Sequence, residues 1–325
     1  MKENQKLQSL CREMNELGLN HEPFLFVIDY GCENYFITTL EECPEDIMYS
    51  MAGDERDYNS SLNKNLKIRN SISFEDYKTA FDIVQNNMLQ GNTYLLNLTF
   101  PTEVEIDASL KDIFFGSDAL FKLYYKDHFV CFSPERFVKL EGATIKTHPM
   151  KGTIDASIEG AEEKILNDEK EQSEHLMVVD LLRNDLSMVS EKVTVNRYRY
   201  IDKISAGSKE LLQVSSEIEG HIGNDWHERI GDIILPMLPA GSITGAPKIK
   251  TMEIIEEVEQ YNRGFYTGIF GLYDGTTLDS SVIIRYIEKN GKALVYKSGG
   301  GITYDSDVLS EYNELLAKVY IPLKR

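Results

Sequence analysis

Apolar residues recur along this chain at two spacings, near 3.6 and near 2, and the switches between them mark out its elements. Residues 5–17 read as a polar amphipathic helix. Phe24-Leu25-Phe26-Val27-Ile28-Asp29 reads as a buried strand, and Tyr35-Phe36-Ile37 as a second. From Ser73 a helix pattern places Phe74, Tyr77, Phe81 and Val84 on one face, reaches Met88 and stops at Gly91. A strand follows over residues 94–100. Strand runs recur at 129–132, 137–140 and 143–146 and suggest a meander. Three later helices are expected: one over 171–185, one carrying Met252, Ile255 and Val258, and one from about Asp307.

The 325 residues, 42% of them hydrophobic, suffice for a large core. No Pro/Gly/Ser-rich linker or internal repeat divides them, and the polar stretch 54–65 is the nearest thing to a seam. A formal charge of −19 repels phosphate backbones, and no basic and aromatic cluster offsets it, so nucleic acid is not an expected partner. Cys11, Cys32, Cys43 and Cys131 form no CxxC pair and lack histidines at zinc spacing. They point to a reduced, cytoplasmic setting. No run approaches the roughly 18 apolar residues of a membrane span, so no membrane association is expected.

Against that background a few polar groups stand out. Lys151, in Thr147-His148-Pro149-Met150-Lys151-Gly152-Thr153, follows the carboxylate of Ser133-Pro134-Glu135 by sixteen residues. An amine can attack carbon and a carboxylic acid can protonate a leaving oxygen, although a surface lysine and a capping glutamate would read the same way. Glu171, Glu174 and His175 share a helix face at i, i+3 and i+4, where paired glutamates call for a cation or proton, or else line a solvated face. Residues 239–248, Pro-Ala-Gly-Ser-Ile-Thr-Gly-Ala-Pro-Lys, open a helix as an anion site or as a plain turn. Downstream of Gly299-Gly300-Gly301, Glu311, Glu314 and Lys318 lie on one helical face. Carboxylates on two helices suit a hard, oxygen-liganded ion such as Mg²⁺, and an exposed helix with Glu–Lys pairs is the alternative.

Taken in order, these blocks resemble the chorismate-utilising enzymes, a group containing anthranilate, isochorismate, salicylate and aminodeoxychorismate synthases. The resemblance runs from about Ser73 to the end, through Ser133-Pro134-Glu135, the Pro-x-x-Gly-Thr block, Glu174-His175-Leu176-Met177-Val178-Val179-Asp180-Leu181 with Arg183-Asn184-Asp185, then residues 241–248, Arg263-Gly264 and Gly299-Gly300-Gly301-Ile302. It implies a single α/β unit with the chorismate-binding, anthranilate synthase component I-like fold. Two mostly antiparallel sheets would pack together with helices outside. Residues 1–70 would form a short N-terminal segment on a catalytic domain over 71–325.

The resemblance also implies roles. Lysine in the Pro-x-Lys-Gly-Thr block is similar to the aminodeoxychorismate synthases, where anthranilate synthases carry a small residue; Leu95 stands where isochorismate and salicylate synthases have a water-activating lysine. On this reading Lys151 attacks C2 of chorismate and Glu135 protonates the departing C4 hydroxyl. Glu174 and Glu314 ligate Mg²⁺, with Glu171 and Glu311 on its waters. Ser242, Tyr266, Arg285, Gly299, Gly300, Gly301 and Lys318 bind the substrate. Gln213 stands near the position of a family histidine. Ammonia would come from a glutamine amidotransferase partner, because no cysteine here sits in a Gly-x-Cys-x-Gly elbow. The rivals are anthranilate synthase component I and a non-catalytic paralogue that binds chorismate or the amidotransferase.

Overall fold

The computed structural model describes residues 2–54, 66–206 and 209–323. All but Asp54 of the polar stretch 54–65 lies outside them. The chain divides into two compact units, and each is assembled from separated segments. One comprises Met1–Cys43, Glu135–Ser242 and Gly268–Val282; the other comprises Pro44–Pro134, Ile243–Thr267 and Ile283–Arg325.

The first unit is built on a nine-stranded antiparallel sheet. Its strands run in the order Met150–Asp155, Lys209–His221, Thr144–Thr147, Arg136–Glu141, Leu278–Val282, Ile269–Tyr273, Phe24–Ile28 and Tyr35–Thr39, with Glu191–Ala206 also paired to Lys209–His221. Phe24–Ile28 is buried at all five positions, which explains why it reads as a continuous apolar run and not as an alternating one. The helix Lys2–Leu19 runs two to three residues beyond its expected ends. It packs so closely that a Cβ at Gly18 would stand 1.9 Å from the His227 carbonyl oxygen.

The second unit carries an eight-stranded antiparallel sheet, ordered Gly245–Ala246, Leu95–Glu105, Ala293–Ile302, Tyr286–Asn290, Phe129–Ser133, Phe121–Tyr125 and Ile47–Ser50, with Lys67–Asn70 on Leu95–Glu105. The helix Phe74–Leu89 starts on Ser73, whose hydroxyl accepts from the Asp76 N–H. It buries Tyr77, Phe81 and Val84 with Leu96, Leu98 and Phe100 of the sheet, Ile254, Ile255 and Val258 of Lys248–Glu259, and Leu315 of Val308–Ala317. Burying one such side chain contributes about 1.5–3 kcal/mol, so this cluster anchors the strands and helix that carry the second unit's polar groups.

One expectation is corrected. The runs at 129–132 and 137–140 do not continue into one meander, since Phe129–Ser133 belongs to the second unit's sheet and Arg136–Glu141 to the first's. Pro134 lies between them. Proline has no N–H to contribute to a ladder, and it marks the point at which the chain leaves one sheet for the other.

Candidate active site

In the first unit Lys151 lies on a β-bulge. Met150 pairs with Ser215 and Thr153 with Gln213, so three steps on one strand face two on its neighbour. The extra residue re-aims the side chain. Gly152 has φ +86°, a conformation that residues with a Cβ rarely adopt, and a Cβ there would approach Glu171 Oε2 to 2.9 Å. The bulge therefore needs glycine immediately after the lysine.

The facing helix, Glu169–Ser187, begins at Asp168, which caps it by accepting from the Glu171 N–H at 2.9 Å. Its residues 171 and 174 meet the bulge. Lys151 Nζ lies 2.7 Å from Glu174 Oε2, and Lys170 Nζ lies 3.7 Å from Oε1 of the same carboxylate. Glu174 is buried, and both lysines approach its carboxylate and not that of Glu171. Burial raises the Glu171 pKa, with Lys151 opposing and Glu174 adding to the effect. Its Oε2 is buried without a hydrogen-bond partner. His175 is buried too, and desolvation, helped by Arg199, lowers its pKa to about 4.

Glu135 and Ser242, 107 residues apart, meet in the same unit, where the serine hydroxyl donates to Glu135 Oε1 at 2.5 Å. The Glu135 carbonyl accepts from Val282 N–H and from the Ser281 hydroxyl, which fixes the main chain beneath the carboxylate. Asp185 Oδ2 accepts from the Gly241 N–H at 3.0 Å and so ties the Arg183-Asn184-Asp185 block to the loop that presents Ser242.

In the second unit a different set converges. Gly299-Gly300-Gly301 lie on Ala293–Ile302, paired with Thr99, Leu98 and Asn97. A Cβ at Gly300 would meet Glu311 Oε2 at 3.4 Å, Glu314 Oε1 at 3.6 Å and Lys318 Nζ at 3.6 Å. Lys318 bridges Glu314 Oε1 at 2.7 Å and the Gly299 carbonyl at 2.8 Å, and Ser306 donates to Glu311 Oε1. Tyr266 and Arg285 belong to the same unit. Burial raises the pKa of the Tyr266 phenol, and the Arg285 guanidinium stands 5.1 Å from the Tyr320 ring centroid. Leu95 is buried at the start of its strand, with its Cδ1 3.3 Å from where a Gly301 Cβ would stand.

One support was missed from the sequence. Glu259 and Arg263 form a buried pair at 2.6 Å, each side chain 2% exposed. Arg263 also donates to the carbonyls of Ile243 and Asn97, while Thr99 donates to Glu259. Glu259 closes the helix Lys248–Glu259 and Arg263 follows beyond its left-handed cap at Gln260, so no helical spacing announced the pair.

Among the described residues no group of three or more His, Cys, Asp or Glu side chains stands ready to hold a metal. The donors present are hard oxygens, and the unpartnered, buried Glu171 Oε2 fits a cation or its water.

A family model for chorismate binding enzymes matches residues 20–324, nearly the whole chain. The chain belongs to the chorismate-binding enzyme family. An uncharacterised PabA-like protein of Pasteurella multocida is 45% identical over 98% of this chain and 99% of its own length. The aminodeoxychorismate synthase component 1 of Bacillus subtilis is 37% identical over 59% of this chain and 41% of its own. Among solved structures, the anthranilate synthase component I of Streptococcus pneumoniae superposes with a TM-score of 0.66 at 25% identity, over 80% of this chain and 60% of that one. The chorismate-binding fold inferred from the motifs is thus the fold of this chain, an α/β arrangement with two antiparallel sheets. No helix among the described residues is long and apolar enough to cross a membrane.

Proposed function

We propose that this chorismate-binding enzyme is an aminodeoxychorismate synthase component I, converting chorismate and ammonia to 4-amino-4-deoxychorismate for p-aminobenzoate and folate synthesis. The observation that carries the reading is Lys151, an amine aimed by a bulge and held against a buried carboxylate. Lysine in this block is the feature by which the chain resembles the aminodeoxychorismate synthases, where anthranilate synthases carry a small residue. Likeness to the Bacillus subtilis aminodeoxychorismate synthase component supports it, and Leu95 offers no base for activating water.

In the proposed reaction the neutral Lys151 amine forms a bond to C2 of chorismate. The ring double bonds shift, the C4–O bond breaks, and Glu135 gives its proton to the departing hydroxyl, which leaves as water. Ammonia then bonds to C4, the double bonds shift back, and the C2–N bond breaks to release Lys151. Ammonia's surplus proton returns to Glu135. Covalent addition divides one difficult displacement into two easier ones. Ser242, hydrogen-bonded to Glu135, orients the acid.

Glu171, Glu174, Glu311 and Glu314 are proposed to hold Mg²⁺ and its waters, the metal neutralising a substrate carboxylate when bound. Gly299, Gly300, Gly301, Tyr266, Arg285 and Lys318 are assigned to substrate carboxylate and enolpyruvyl groups, and the planar fork of Arg285 suits a carboxylate. Ammonia is assigned to a glutamine amidotransferase partner.

Incubation with chorismate, Mg²⁺ and ammonium, followed by mass spectrometry, tests the reading. Aminodeoxychorismate is the expected product. Anthranilate, isochorismate or unreacted chorismate would each contradict it.

A further inference from the structure

Lys297, on the strand Ala293–Ile302 of the second unit, is 4% exposed, and burying an ammonium is costly unless its donors find partners. All three donors are used here. Nζ lies 2.9 Å from Glu288 Oε1 and donates to the Arg263 carbonyl at 3.0 Å and the Asn262 carbonyl at 3.3 Å. The ring centroids of Tyr261 and Tyr286 stand 5.4 and 5.6 Å from it and confine the charge further.

A buried ion pair is a weak source of stability, since apolar residues of the same size often do as well. Its contacts point to another use. The Arg263 carbonyl held by Lys297 also accepts from the Tyr266 N–H at 3.1 Å. Through that shared acceptor Lys297 fixes the turn over 263–266, which carries Tyr266.

The other end of the pair reaches Arg285. Glu288 Oε2 accepts from the Tyr286 hydroxyl at 2.6 Å, so both carboxylate oxygens are engaged. Tyr286 lies opposite Lys297 in the strand register and directly follows Arg285. Arg285 has φ +52°, a left-handed conformation that a residue with a Cβ rarely adopts. Such a backbone is retained where its surroundings over-determine it. Here the Arg285 carbonyl accepts from the Phe132 N–H at 3.1 Å, and Tyr286 is held both by Glu288 and by the Tyr266 ring, 5.8 Å away between centroids.

From these contacts we infer that Lys297, paired with Glu288, is a positioning residue that fixes Tyr266 and Arg285 relative to each other as one subsite for a substrate carboxylate. The inference rests on the substrate roles proposed above for Tyr266 and Arg285. Lys297 acts through the Arg263 carbonyl and Tyr286 and not on the reacting atoms, so it governs how tightly chorismate is held.

The test is titration calorimetry of the whole chain with chorismate and Mg²⁺, for wild type, Glu288→Gln, and Lys297→Met combined with Glu288→Gln. The double variant removes both charges together, which strands no buried ion, and keeps an amide oxygen for the Tyr286 hydroxyl. Its Kd for chorismate should rise roughly tenfold, the scale of one loosened charge-assisted contact, with kcat at saturating chorismate and the unfolding midpoint close to wild type. Glu288→Gln alone leaves Lys297 on the two carbonyls and should bind chorismate as wild type does. A wild-type Kd in the double variant, or lost stability with no change in Kd, would overturn the inference. Amide hydrogen exchange in the wild type is a second measurement: chorismate should slow exchange over 263–266 and 285–288 together, and slowing at only one of them, or at neither, would overturn the coupling. Arg285→Met separates the inference from the reading it rests on. If that variant binds chorismate as wild type does, the substrate assignment of Arg285 fails and takes the inference with it; if it binds weakly and the double variant does not, the inference alone fails.

Discussion

Each unit holds a lysine–glutamate pair beside a glycine strand, with a second glutamate three residues before the first, yet the two pairs differ in origin and surroundings. Lys151 reaches Glu174 from a strand, and the carboxylate side chain is only 10% exposed. Lys318 reaches Glu314 along its own helix, at i,i+4, and that carboxylate is 49% exposed. Both N–O distances are 2.7 Å. Equal geometry does not mean equal worth, because water screens the second pair and is largely excluded from the first. The pair within one helix is a local device, whereas the pair between strand and helix ties two separate elements together.

Burial rather than unit membership should set the energetic scale, and the pair Glu259 and Arg263 gives the largest expected effect. Arg263→Met should destabilise the protein by roughly 3–5 kcal/mol, because it strands a buried carboxylate and two carbonyls. Denaturant unfolding measures this, and a loss below about 1 kcal/mol would show the pair to be dispensable.

Next in size is Lys151→Ala, expected to lower amination of chorismate by at least about a hundredfold, roughly 2.7 kcal/mol in the barrier. Lys318→Ala, which leaves the amine of the other unit intact, should act chiefly on KM. If both variants lost kcat equally, the contrast between the units would collapse.

Glycine substitutions sharpen the comparison. Gly152→Ala must hold a left-handed backbone and approach Glu171 Oε2 to 2.9 Å, so a loss of about 1–3 kcal/mol in stability is expected. Gly300→Ala meets its neighbours at 3.4–3.6 Å with no left-handed strain, and should change stability by less than about 1 kcal/mol. Thermal unfolding of both variants checks the difference. Similar losses would mean that the bulge is not the special feature of the first unit.

The contrast also explains what could be read from the chain. Glu311, Glu314 and Lys318 were legible as one face because a helix repeats locally. Lys151 with Glu174, and Ser242 with Glu135, were legible only as family motifs, since their meeting depends on which strands pair. Helix positions followed from apolar spacing, and the helices expected from Ser73 and from about Asp307 start there, each capped by that residue's side chain. The long pairing of Glu191–Ala206 with Lys209–His221 was not anticipated, although Val193 and Val195 begin an alternation. Its register slips three times, at 191/194, 195/197 and 197/200, and each slip breaks the period-two pattern that would have announced a strand.

A pH effect separates the units further. Burial lowers the His175 pKa to about 4, against roughly 6.5 in the unfolded chain, so below pH 6.5 the unfolded state takes up a proton that the folded state refuses. Stability from this group is complete above about 6.5 and falls away as pH drops toward 4. His175→Gln should flatten the slope of unfolding free energy in that window, and an unchanged slope would mean that His175 titrates normally.

The smallest expected effect is that of Lys318→Met on stability, within about 0.5 kcal/mol of wild type, as for other exposed helical pairs. Equilibrium unfolding at low salt would show it, and a loss above about 2 kcal/mol would mean that this pair is not screened.

The central claim, that Lys151 is the nucleophile, is tested most directly by rapid acid quench of the enzyme with chorismate and Mg²⁺ but no ammonia, followed by peptide mass mapping. The account predicts a dehydrated chorismate adduct on the peptide carrying Lys151, lost when ammonium is added before the quench. Ammonium-dependent product with an unmodified Lys151 peptide throughout, or an adduct on any other residue, would contradict it.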